Sequence, residues 1–465
     1  MQKTFDLTEL TAITPLDGRY RDRVIELAPY VSEFNLIRTR FEVEAKYLIA
    51  LSEIGLVRKL THGEKQRLES LGQNISPAFA GQVKKIEEET RHDVKAMERV
   101  FRKLLATTSL SDVVEMIHFG LTSEDVNNLA YRLMFKRATE DVCIPTLDRI
   151  INELVERAGK FKAVPMLART HGQAAVPTTI GKEMVVFAVR LNTQVRKLKA
   201  HQLTGKLTGA VGNFNALELV SPDVNWIKFS ADFVKSFGFE PSLVTTQINP
   251  YDDIIEYFQT YQRVNGIIID FDQDMWRYIS DDWFVQTVKS GEVGSSTMPQ
   301  KVNPIDFENS EGNLTIANGI LETLSRKLAI SRLQRDLSDS TAIRNIGTAL
   351  GYSLAGYKSV LSGLERTRPN IPQIESALNK DWSILAEGVQ TLLRAQGTKD
   401  PYSLVASLTR GGHIGQEKWR KFVDTLPIKE GQKAILKKLT PETYTGLADK
   451  LTDRAIKEIK STKEK

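Results

Sequence analysis

The sequence predicts an all-α protein built from long helices, and two observations support this prediction. No proline occurs between Pro250 and Pro299 or between Pro304 and Pro369. Because proline removes a backbone donor and clashes inside a helix, such stretches favour long helices. The chain also has no alternation of strand-like and helix-like segments and no glycine-rich phosphate loop after a strand. We therefore expect packed helices and no parallel sheet.

The segment from Tyr251 to Trp283 gives the strongest helical signal. Its apolar residues are spaced three or four apart, at Ile254, Phe258, Tyr261, Val264, Ile268, Phe271, Met275 and Ile279. This spacing is the helical period, and a helix of this length extends roughly 50 Å. Its apolar residues cover more of the circumference than a surface helix allows, which predicts a place inside a bundle. Helices are also predicted from Ile180 to Leu203 and from Asn309 to Leu333.

Three domains are expected along the chain. Residues 1–111 carry several shorter helical patterns, residues 112–364 hold the long helices, and residues 365–465 return to shorter ones. Pro369 and Pro372 mark the second boundary. The highly charged tail that begins at Ile456 is expected to fray.

Composition excludes several classes of protein. The 63 Lys and Arg residues against 58 Asp and Glu give a net charge of +5, and the charges are interleaved. Nucleic-acid binders usually cluster basic residues, so the balance favours small acidic substrates instead. The single cysteine, Cys143, excludes an internal disulfide and a thiolate metal cage. With no signal-peptide pattern and no apolar run of about 18 residues, we expect a cytoplasmic protein that does not cross a membrane.

The most informative stretch for chemistry runs from Gly294 to Pro304, with the sequence GSSTMPQKVNP. It lies between two long helical patterns, with glycines at one end and prolines at the other, which predicts a loop able to close as a lid. It offers hydroxyls, backbone N–H groups, one cation and one amide. These groups suit a carboxylate that gains negative charge during a reaction. An ordinary polar loop between helices is the alternative interpretation.

This stretch resembles the signature of the fumarase, aspartase and argininosuccinate lyase superfamily, Gly-Ser-Ser-x-Met-Pro-x-Lys-x-Asn-Pro, at all eight specified positions. Eight chance matches at one place have a probability on the order of 10⁻¹⁰. Further motifs resemble those of the adenylosuccinate lyases in this superfamily, and in the same order. They are Asp17-Gly18-Arg19-Tyr20, Arg91-His92-Asp93-Val94, Thr122-Ser123-Glu124-Asp125, Arg169-Thr170-His171-Gly172-Gln173 and the stretch from Arg335 to Asn345.

The resemblance implies a three-domain lyase fold whose long helices form a central bundle in a homotetramer. In that family the active sites draw residues from three subunits, which would explain candidates scattered over 300 positions. The implied reaction is a β-elimination that releases fumarate from a succinylated purine nucleotide. It requires a base, donors for a doubly charged carboxylate, and an acid for the leaving nitrogen.

The resemblance assigns the general base to Ser295 and the general acid to His171. It places His92 against the substrate, where it would orient or assist His171. A histidine suits proton donation at neutral pH because its ordinary pKa is near ~6.5. A serine is a poor base unless its alkoxide is stabilised, which loop N–H groups and Lys301 could do. We interpret His118, between two apolar neighbours, as structural.

Substrate contacts are implied in the same way, and no metal or cofactor is implied. Arginine suits the phosphate because its donors form a fork. The phosphate and ribose set is Arg19, Tyr20, Arg335, Ser340 and Arg344, with the adjoining Thr341, Ala342 and Ile343. The set beside His92 is Arg91 and Asp93. The set for the succinyl carboxylates is Thr122, Ser123, Gln247, Ser296, Lys301 and Asn303, with Val302 and Asn309 nearby.

Three alternatives stay open at this stage. Another lyase of the superfamily, such as argininosuccinate lyase, would have no use for phosphate ligands such as Arg19 and Arg335. A catalytically silent structural homologue would be free to lose Ser295, His171 or Lys301, and all three are present. A nucleic-acid binder would show salt-dependent binding to a duplex.

Overall fold

The computed structural model describes residues 6–287, 298, 300–409 and 414–463. Within these residues the chain is mostly helical, as predicted. The helices of the first half are α1 Arg21–Val24, α2 Ala28–Val31, α3 Glu33–Glu53, α4 His62–Asn74, α5 Pro77–Thr90, α6 Asp93–Ala106, α7 Ser123–Ala138, α8 Ile144–Lys160, α9 Ile180–Ala200, α10 Asn215–Val220 and α11 Trp226–Lys235. Those of the second half are α12 Asp252–Ser280, α13 Ile305–Leu328, α14 Ser338–Ile343, α15 Ile346–Arg366, α16 Ile371–Asn379, α17 Ala386–Ala395, α18 Pro401–Thr409, α19 Gln416–Thr425, α20 Glu430–Lys438 and α21 Ala448–Lys463.

Short strands interrupt the helices. They are β1 Pro165–Thr170, β2 Gln173–Thr179, β3 Thr204–Gly205, β4 Glu240–Pro241, β5 Phe284–Gln286 and β6 Thr367–Pro369. β1 and β2 form an antiparallel hairpin, β3 and β4 pair in parallel, and β5 and β6 pair antiparallel. Each sheet has two strands, so none of them supplies a layer of the fold.

The chain folds into two compact units. Unit 1 comprises Met1–Thr146, Gln194–Gly266 and Gly312–Gly356, and unit 2 comprises Leu147–Thr193, Ile267–Glu311 and Tyr357–Lys465. In unit 1, Phe41 of α3 packs against Phe79 of α5 and Phe101 of α6, with ring centroids 5.4 and 5.2 Å apart. Tilted and edge-on aromatic pairs of this kind add about 0.5–1.5 kcal/mol each beyond the area they bury. They fix α5 and α6, which carry the His92 motif, against α3.

Helix α12 confirms the prediction made from its apolar spacing. Its side chains are buried at seven of the eight predicted positions, Ile254, Phe258, Tyr261, Val264, Ile268, Phe271 and Met275, and Ile279 is half-buried. In unit 1, Phe135 of α7 contacts Tyr257 and Phe258 edge-on at 4.9 and 5.4 Å between centroids. In unit 2, Phe271 contacts Phe187 of α9 at 5.2 Å. The helix is therefore a core element in both units.

Two further helices lie close to their predicted positions, and one prediction is wrong. α9 begins at Ile180 as predicted, whereas α13 begins four residues before the predicted Asn309 and ends at Leu328. The described part of the tail, up to Lys463, is helical and not frayed, since it belongs to α21 and its Ile459 side chain is buried. Its charged residues share the helix with a buried face, which composition alone did not indicate. No helix in the described ranges combines the length and the apolar character that crossing a membrane requires.

Candidate active site

The signature loop is described only in part. Ser295 and Ser296 lie outside the described residues. Lys301 is exposed, and Val302 and Asn303 are half-buried, in the segment that leads into α13. The carbonyl oxygen of Val302 accepts a hydrogen bond from Gln286 Nε2 at 3.1 Å. This bond ties the C-terminal end of the loop to β5, while the ammonium group of Lys301 stays accessible to an anion.

His171 lies at the tip of the β1–β2 hairpin in unit 2. The two strands are joined only by His171 and Gly172, whose φ angles are 52° and 73°. A two-residue turn with both φ angles positive is of type I′, the type whose twist matches that of the flanking strands. Glycine suits its second position because it has no Cβ. The hairpin, whose register shifts between Leu167 and Arg169, holds the His171 side chain out as an exposed group at its tip.

Arg169 stabilises the base of this turn. Its Nη1 donates to the carbonyl oxygen of Gly172 at 3.2 Å. Its guanidinium lies 5.4 Å from the ring centroid of Trp283 and 3.7 Å from a carboxylate oxygen of Asp281. These contacts give the motif arginine a supporting role next to His171.

His92 caps the N-terminus of α6. Its Nδ1 accepts the backbone N–H of Lys95 at 3.2 Å, so a neutral His92 carries its proton on Nε2. The preceding Arg91 ends α5 in the left-handed region, at φ 51°, and its N–H donates to the carbonyl oxygen of Glu87 at 2.7 Å. The sharp turn between the two helices leaves the side chains of Arg91 and His92 exposed. Nε2 of His92 is thereby available as a donor to a ligand.

Asp93 and Arg344, which come from two distant motifs, are in contact in unit 1. Asp93 Oδ2 accepts from Arg40 Nη2 at 2.7 Å and from Arg344 Nη2 at 3.2 Å. Burial alone would raise the pKa of Asp93, but the two guanidinium groups outweigh it and lower the pKa to about 2. Arg344 Nη1 also lies 3.0 Å from a carboxylate oxygen of Glu33. Asp93 is therefore charged at neutral pH and helps to fix the position of Arg344.

The turn at Thr122 and Ser123 depends on the buried carboxylate of Asp125. Its Oδ2 accepts the backbone N–H of Thr122 at 2.8 Å. Its Oδ1 accepts from Lys206 Nζ at 2.7 Å and from the backbone N–H groups of Thr208 and Gly209 at 2.9 and 3.2 Å. The side chains of Lys206 and Asp125 are both fully buried. One carboxylate thus joins the start of α7 to the segment after β3.

Arg335 and Gln247, predicted for different parts of the substrate, are also in contact. Arg335 Nη1 donates to Gln247 Oε1 at 3.1 Å, and its Nη2 donates to Glu124 Oε1 at 3.0 Å. Asp339, four residues beyond Arg335 in the sequence, lies 4.0 Å from Nη2 and accepts from the hydroxyl of Tyr251 at 2.9 Å. Glu124 directly follows Ser123, so this cluster adjoins the Thr122 turn.

The remaining candidates occupy three other places. Arg19 is exposed and Tyr20 half-buried, in the turns that precede α1. In and beside α14, Thr341 is exposed, Ser340 and Ala342 are half-buried, and the Ile343 side chain is buried. In unit 2, Asn309 Oδ1 accepts from the hydroxyl of Ser359 at 2.9 Å.

The predicted residues therefore fall into two sets. In unit 1 the contacts join Asp93 with Arg344 and Gln247 with Arg335, and Thr122 and Ser123 adjoin the second pair. His171, Lys301, Val302, Asn303 and Asn309 belong to unit 2. Neither Glu124 nor Arg40 was predicted as a site residue, although Glu124 stands inside a matched motif. The one signal that could have indicated Glu124 is its charge, which directly follows the predicted site residues Thr122 and Ser123 in the sequence.

The surroundings of His118 and Cys143 support a structural role for both residues. His118 Nδ1 lies 2.5 Å from Glu44 Oε1. Burial alone would lower the pKa of His118, but the Glu44 carboxylate outweighs it and the pKa is raised. Burial raises the pKa of the Cys143 thiol to about 12. No group of three or more potential His, Cys, Asp or Glu metal ligands lies together in the described ranges.

Comparison with known proteins gives consistent matches along the chain. A family model described as "Lyase" matches residues 21–319, and one described as "Adenylosuccinate lyase C-terminal" matches residues 331–445. The adenylosuccinate lyase of Haemophilus influenzae is 44% identical over 452 residues, covering 96% of this chain and 99% of the relative. The adenylosuccinate lyase of Escherichia coli K12 is 42% identical and covers the same fractions of the two chains. That of Legionella pneumophila (strain Corby) is 45% identical over 96% of this chain and 98% of the relative.

The fold is also similar to a solved structure. The 3-carboxy-cis,cis-muconate lactonizing enzyme from Pseudomonas putida superposes with a TM-score of 0.74 at 19% identity, covering 95% of this chain and 99% of that one. At this identity the similarity establishes the fold alone.

Proposed function

The chain belongs to the adenylosuccinate lyase family, and from this premise we propose that it releases fumarate from two succinylated purine nucleotides. The first is adenylosuccinate, which leaves AMP, and the second is the succinylated aminoimidazole carboxamide ribotide. The observation that carries the proposal is the end-to-end similarity to adenylosuccinate lyases at more than 40% identity. Argininosuccinate lyase activity is the alternative from the same superfamily, and its substrate has no phosphate.

The proposed chemistry is an elimination that breaks a carbon–nitrogen bond. Ser295 removes a proton from the carbon next to a carboxylate, and the electron pair left behind forms the double bond of fumarate as the bond to nitrogen breaks. His171 gives a proton to the leaving nitrogen. The exposed position of His171 at the tip of a hairpin supports this role, because it leaves the ring accessible to a bound substrate.

Three residues contact the succinyl part of the substrate in this proposal, and two of them support the negative charge that develops. Lys301 and Asn303 would bind the succinyl carboxylate that gains charge, as a point charge and an amide donor. His92 would donate from Nε2 to the substrate, since its Nδ1 is occupied by the N–H of Lys95. Val302, Asn309, Thr122, Ser123, Gln247 and Ser296 complete this proposed set.

The nucleotide part of the substrate would bind to the residues gathered in unit 1. Arg344 has its guanidinium fixed by Asp93 and Glu33, yet its side chain is 40% exposed. A fixed, accessible guanidinium suits a phosphate because its donors form a fork. Arg19, Tyr20, Arg91, Asp93, Arg335, Ser340, Thr341, Ala342 and Ile343 would form the rest of this set.

We also propose a homotetramer with shared active sites. Several large apolar side chains on the long helices remain exposed within one chain, namely Val186, Val189, Trp276, Ile305 and Ile316. Burying such surface between copies would remove it from water. The three-domain division, a cytoplasmic location and the lack of a nucleic-acid partner or metal remain predictions.

The activity has a direct test. The purified protein should release fumarate from both proposed substrates, followed by the absorbance change of the elimination and by chromatography of AMP. Argininosuccinate serves as the control and should remain intact, because it offers no phosphate to the arginines of unit 1. Cleavage of argininosuccinate with neither nucleotide attacked would replace the proposal with its alternative.

Shared active sites predict that two inactive variants will complement each other. Sedimentation should give about four chains, and mixed Ser295→Ala and His171→Ala chains should regain activity after subunit exchange. If each site takes these two residues from different chains, about a quarter of the sites in random mixed tetramers hold both wild-type residues. Mixing each variant with itself is the control. Mixed tetramers that stay inactive would place both residues in sites formed by one chain.

A further inference from the structure

We propose that Glu124 is a positioning residue for this reaction, whose carboxylate holds the guanidinium of Arg335 in the orientation that binds the phosphate of the nucleotide. The inference rests on the proposed function, since it takes Arg335 to be a phosphate ligand. It assigns a role to a charged group that stands inside a matched motif but has no part in the proposed chemistry.

The carboxylate of Glu124 is buried and is held by two hydrogen-bond donors. It is the second residue of α7, and its side chain is 4% exposed. Its Oε1 accepts from Arg335 Nη2 at 3.0 Å and from Asn127 Nδ2 at 2.8 Å. The side chain of Arg335 is itself only 15% exposed. Both charges are therefore held where water reaches them poorly, and each is the other's nearest opposite charge.

This burial makes it costly for Arg335 to leave. Burial raises the pKa of Glu124, and the Arg335 charge opposes that rise without cancelling it. If Arg335 moved away, a carboxylate would remain buried without its cation, which is among the most destabilising changes in a protein interior. Arg335 is consequently kept at Glu124 while the other donors of its guanidinium serve other partners.

The position held by Glu124 sets what the rest of the guanidinium can do. Nη1 donates to Gln247 Oε1, and Gln247 Nε2 donates in turn to the carbonyl oxygen of Ala210 at 3.0 Å. The Nε–H of Arg335 is buried and has no acceptor in the described part of the chain. One carboxylate thus orients both a cation and, through Nη1 of that cation, an amide from the succinyl set.

Asp339 shows what would replace this arrangement. It lies 4.0 Å from Arg335 Nη2 and four residues further along the chain, in α14. With the charge of Glu124 removed, Asp339 is the nearest carboxylate left to Arg335. The guanidinium would then swing towards α14 and away from Gln247. The expected result is weaker binding at the phosphate, with the reacting groups unchanged.

The test is Glu124→Gln, assayed with adenylosuccinate and with its nucleoside analogue that lacks the phosphate. The variant should raise KM for adenylosuccinate roughly 10–100-fold, the value of a charge-assisted bond, and leave kcat nearly unchanged. KM for the nucleoside should change less than about threefold. Glu42→Gln is the matched control, because Glu42 pairs with both Nη atoms of Arg137 at 2.8 Å in the same unit and touches none of the predicted site residues.

Binding of AMP and adenosine, measured by calorimetry, tests the same point without turnover. Glu124→Gln should weaken binding of AMP and leave binding of adenosine unchanged. This result does not depend on turnover, so it would hold even if the wild type did not cleave adenylosuccinate and the proposed function were wrong. If Glu124→Gln does not fold, Glu124→Asp replaces it, because it retracts the same charge by one methylene and should raise KM for adenylosuccinate alone. Equal changes for ligands with and without phosphate would overturn the proposal, as would a loss of kcat at constant KM.

Discussion

Replacing His171 with asparagine is expected to lower kcat by about 10²–10⁴-fold, the usual value of a general acid, while the fold stays intact. Asparagine is the sharper choice than alanine because His171 occupies a left-handed position at φ 52°. Asn-Gly is a preferred sequence for a type I′ turn, so this variant keeps the hairpin and removes only the acid. Alanine at the same φ would add backbone strain to the loss of the imidazole.

Substrate binding should survive in His171→Asn, because the predicted nucleotide ligands lie elsewhere, in unit 1. Stability should change by no more than about 0.5 kcal/mol, as expected for an exposed side chain. His62→Asn is the matched control, since His62 is also exposed but belongs to none of the matched motifs. Single-turnover rates and the binding of substrate separate the two effects. A kcat close to that of the wild type would remove His171 from the role of acid.

Ser295→Ala should give a similar loss of turnover for a different reason. It removes the proposed base, so the carbanion cannot form, whereas His171→Asn blocks departure of the nitrogen. Exchange of the substrate's C–H proton with solvent distinguishes the two steps. We expect exchange to persist in His171→Asn and to stop in Ser295→Ala. Exchange that persists in both variants would assign the base to another residue.

The long helices could be predicted because their signal is local. The three- and four-residue spacing of α12 depends only on its own sequence, and a buried helix needs that spacing whatever it packs against. The start of α9 at Ile180 was predicted correctly for the same reason. The ends of α13 and the order of the C-terminal tail were not predicted, because they depend on packing against distant residues such as those that bury Ile459.

The hairpin that presents His171 was not predicted as a strand pair. Its strands have six and seven residues, and burial along them does not alternate, so the two-residue period of a half-buried strand is lacking. The signal that could have indicated it is the pair His171 and Gly172, two residues that accept positive φ, between segments that differ in length by one residue.

The identities of the site residues could be carried over from motifs, but their partners could not. Arg344 pairs with Asp93 across 251 positions, and Arg335 pairs with Glu124 across 211. A motif specifies which side chain is present, whereas the orientation of a guanidinium is set by charges that only the folded chain brings near. The role proposed for Glu124 could not be predicted for this reason, although the motif around it matches.

Replacing Lys206 with methionine is expected to lower the free energy of unfolding by about 3–5 kcal/mol, the usual cost of breaking a buried ion pair. The Lys206 and Asp125 side chains are fully buried, with Nζ 2.7 Å from Oδ1. Methionine fills a similar volume, so the loss comes from an uncompensated carboxylate and hardly from a cavity. Backbone N–H groups of Thr122, Thr208 and Gly209 still reach Asp125 in this variant, and they solvate its charge only in part.

Denaturant unfolding at a fixed protein concentration measures the effect. Lys228→Met is the matched control, because Lys228 pairs with Asp232 on the surface of α11 with side chains 72% and 58% exposed. Exposed pairs of this kind are worth about 0–1 kcal/mol.

Adding Asp125→Asn to Lys206→Met should recover part of the free energy of unfolding, since it removes the unpaired buried charge. The recovery should not extend to activity, because asparagine has a single acceptor oxygen where Asp125 accepts at both Oδ1 and Oδ2. Either the Thr122 turn or the segment after β3 then loses a hydrogen bond. Equal destabilisation by Lys206→Met and Lys228→Met would mean that Asp125 does not depend on Lys206.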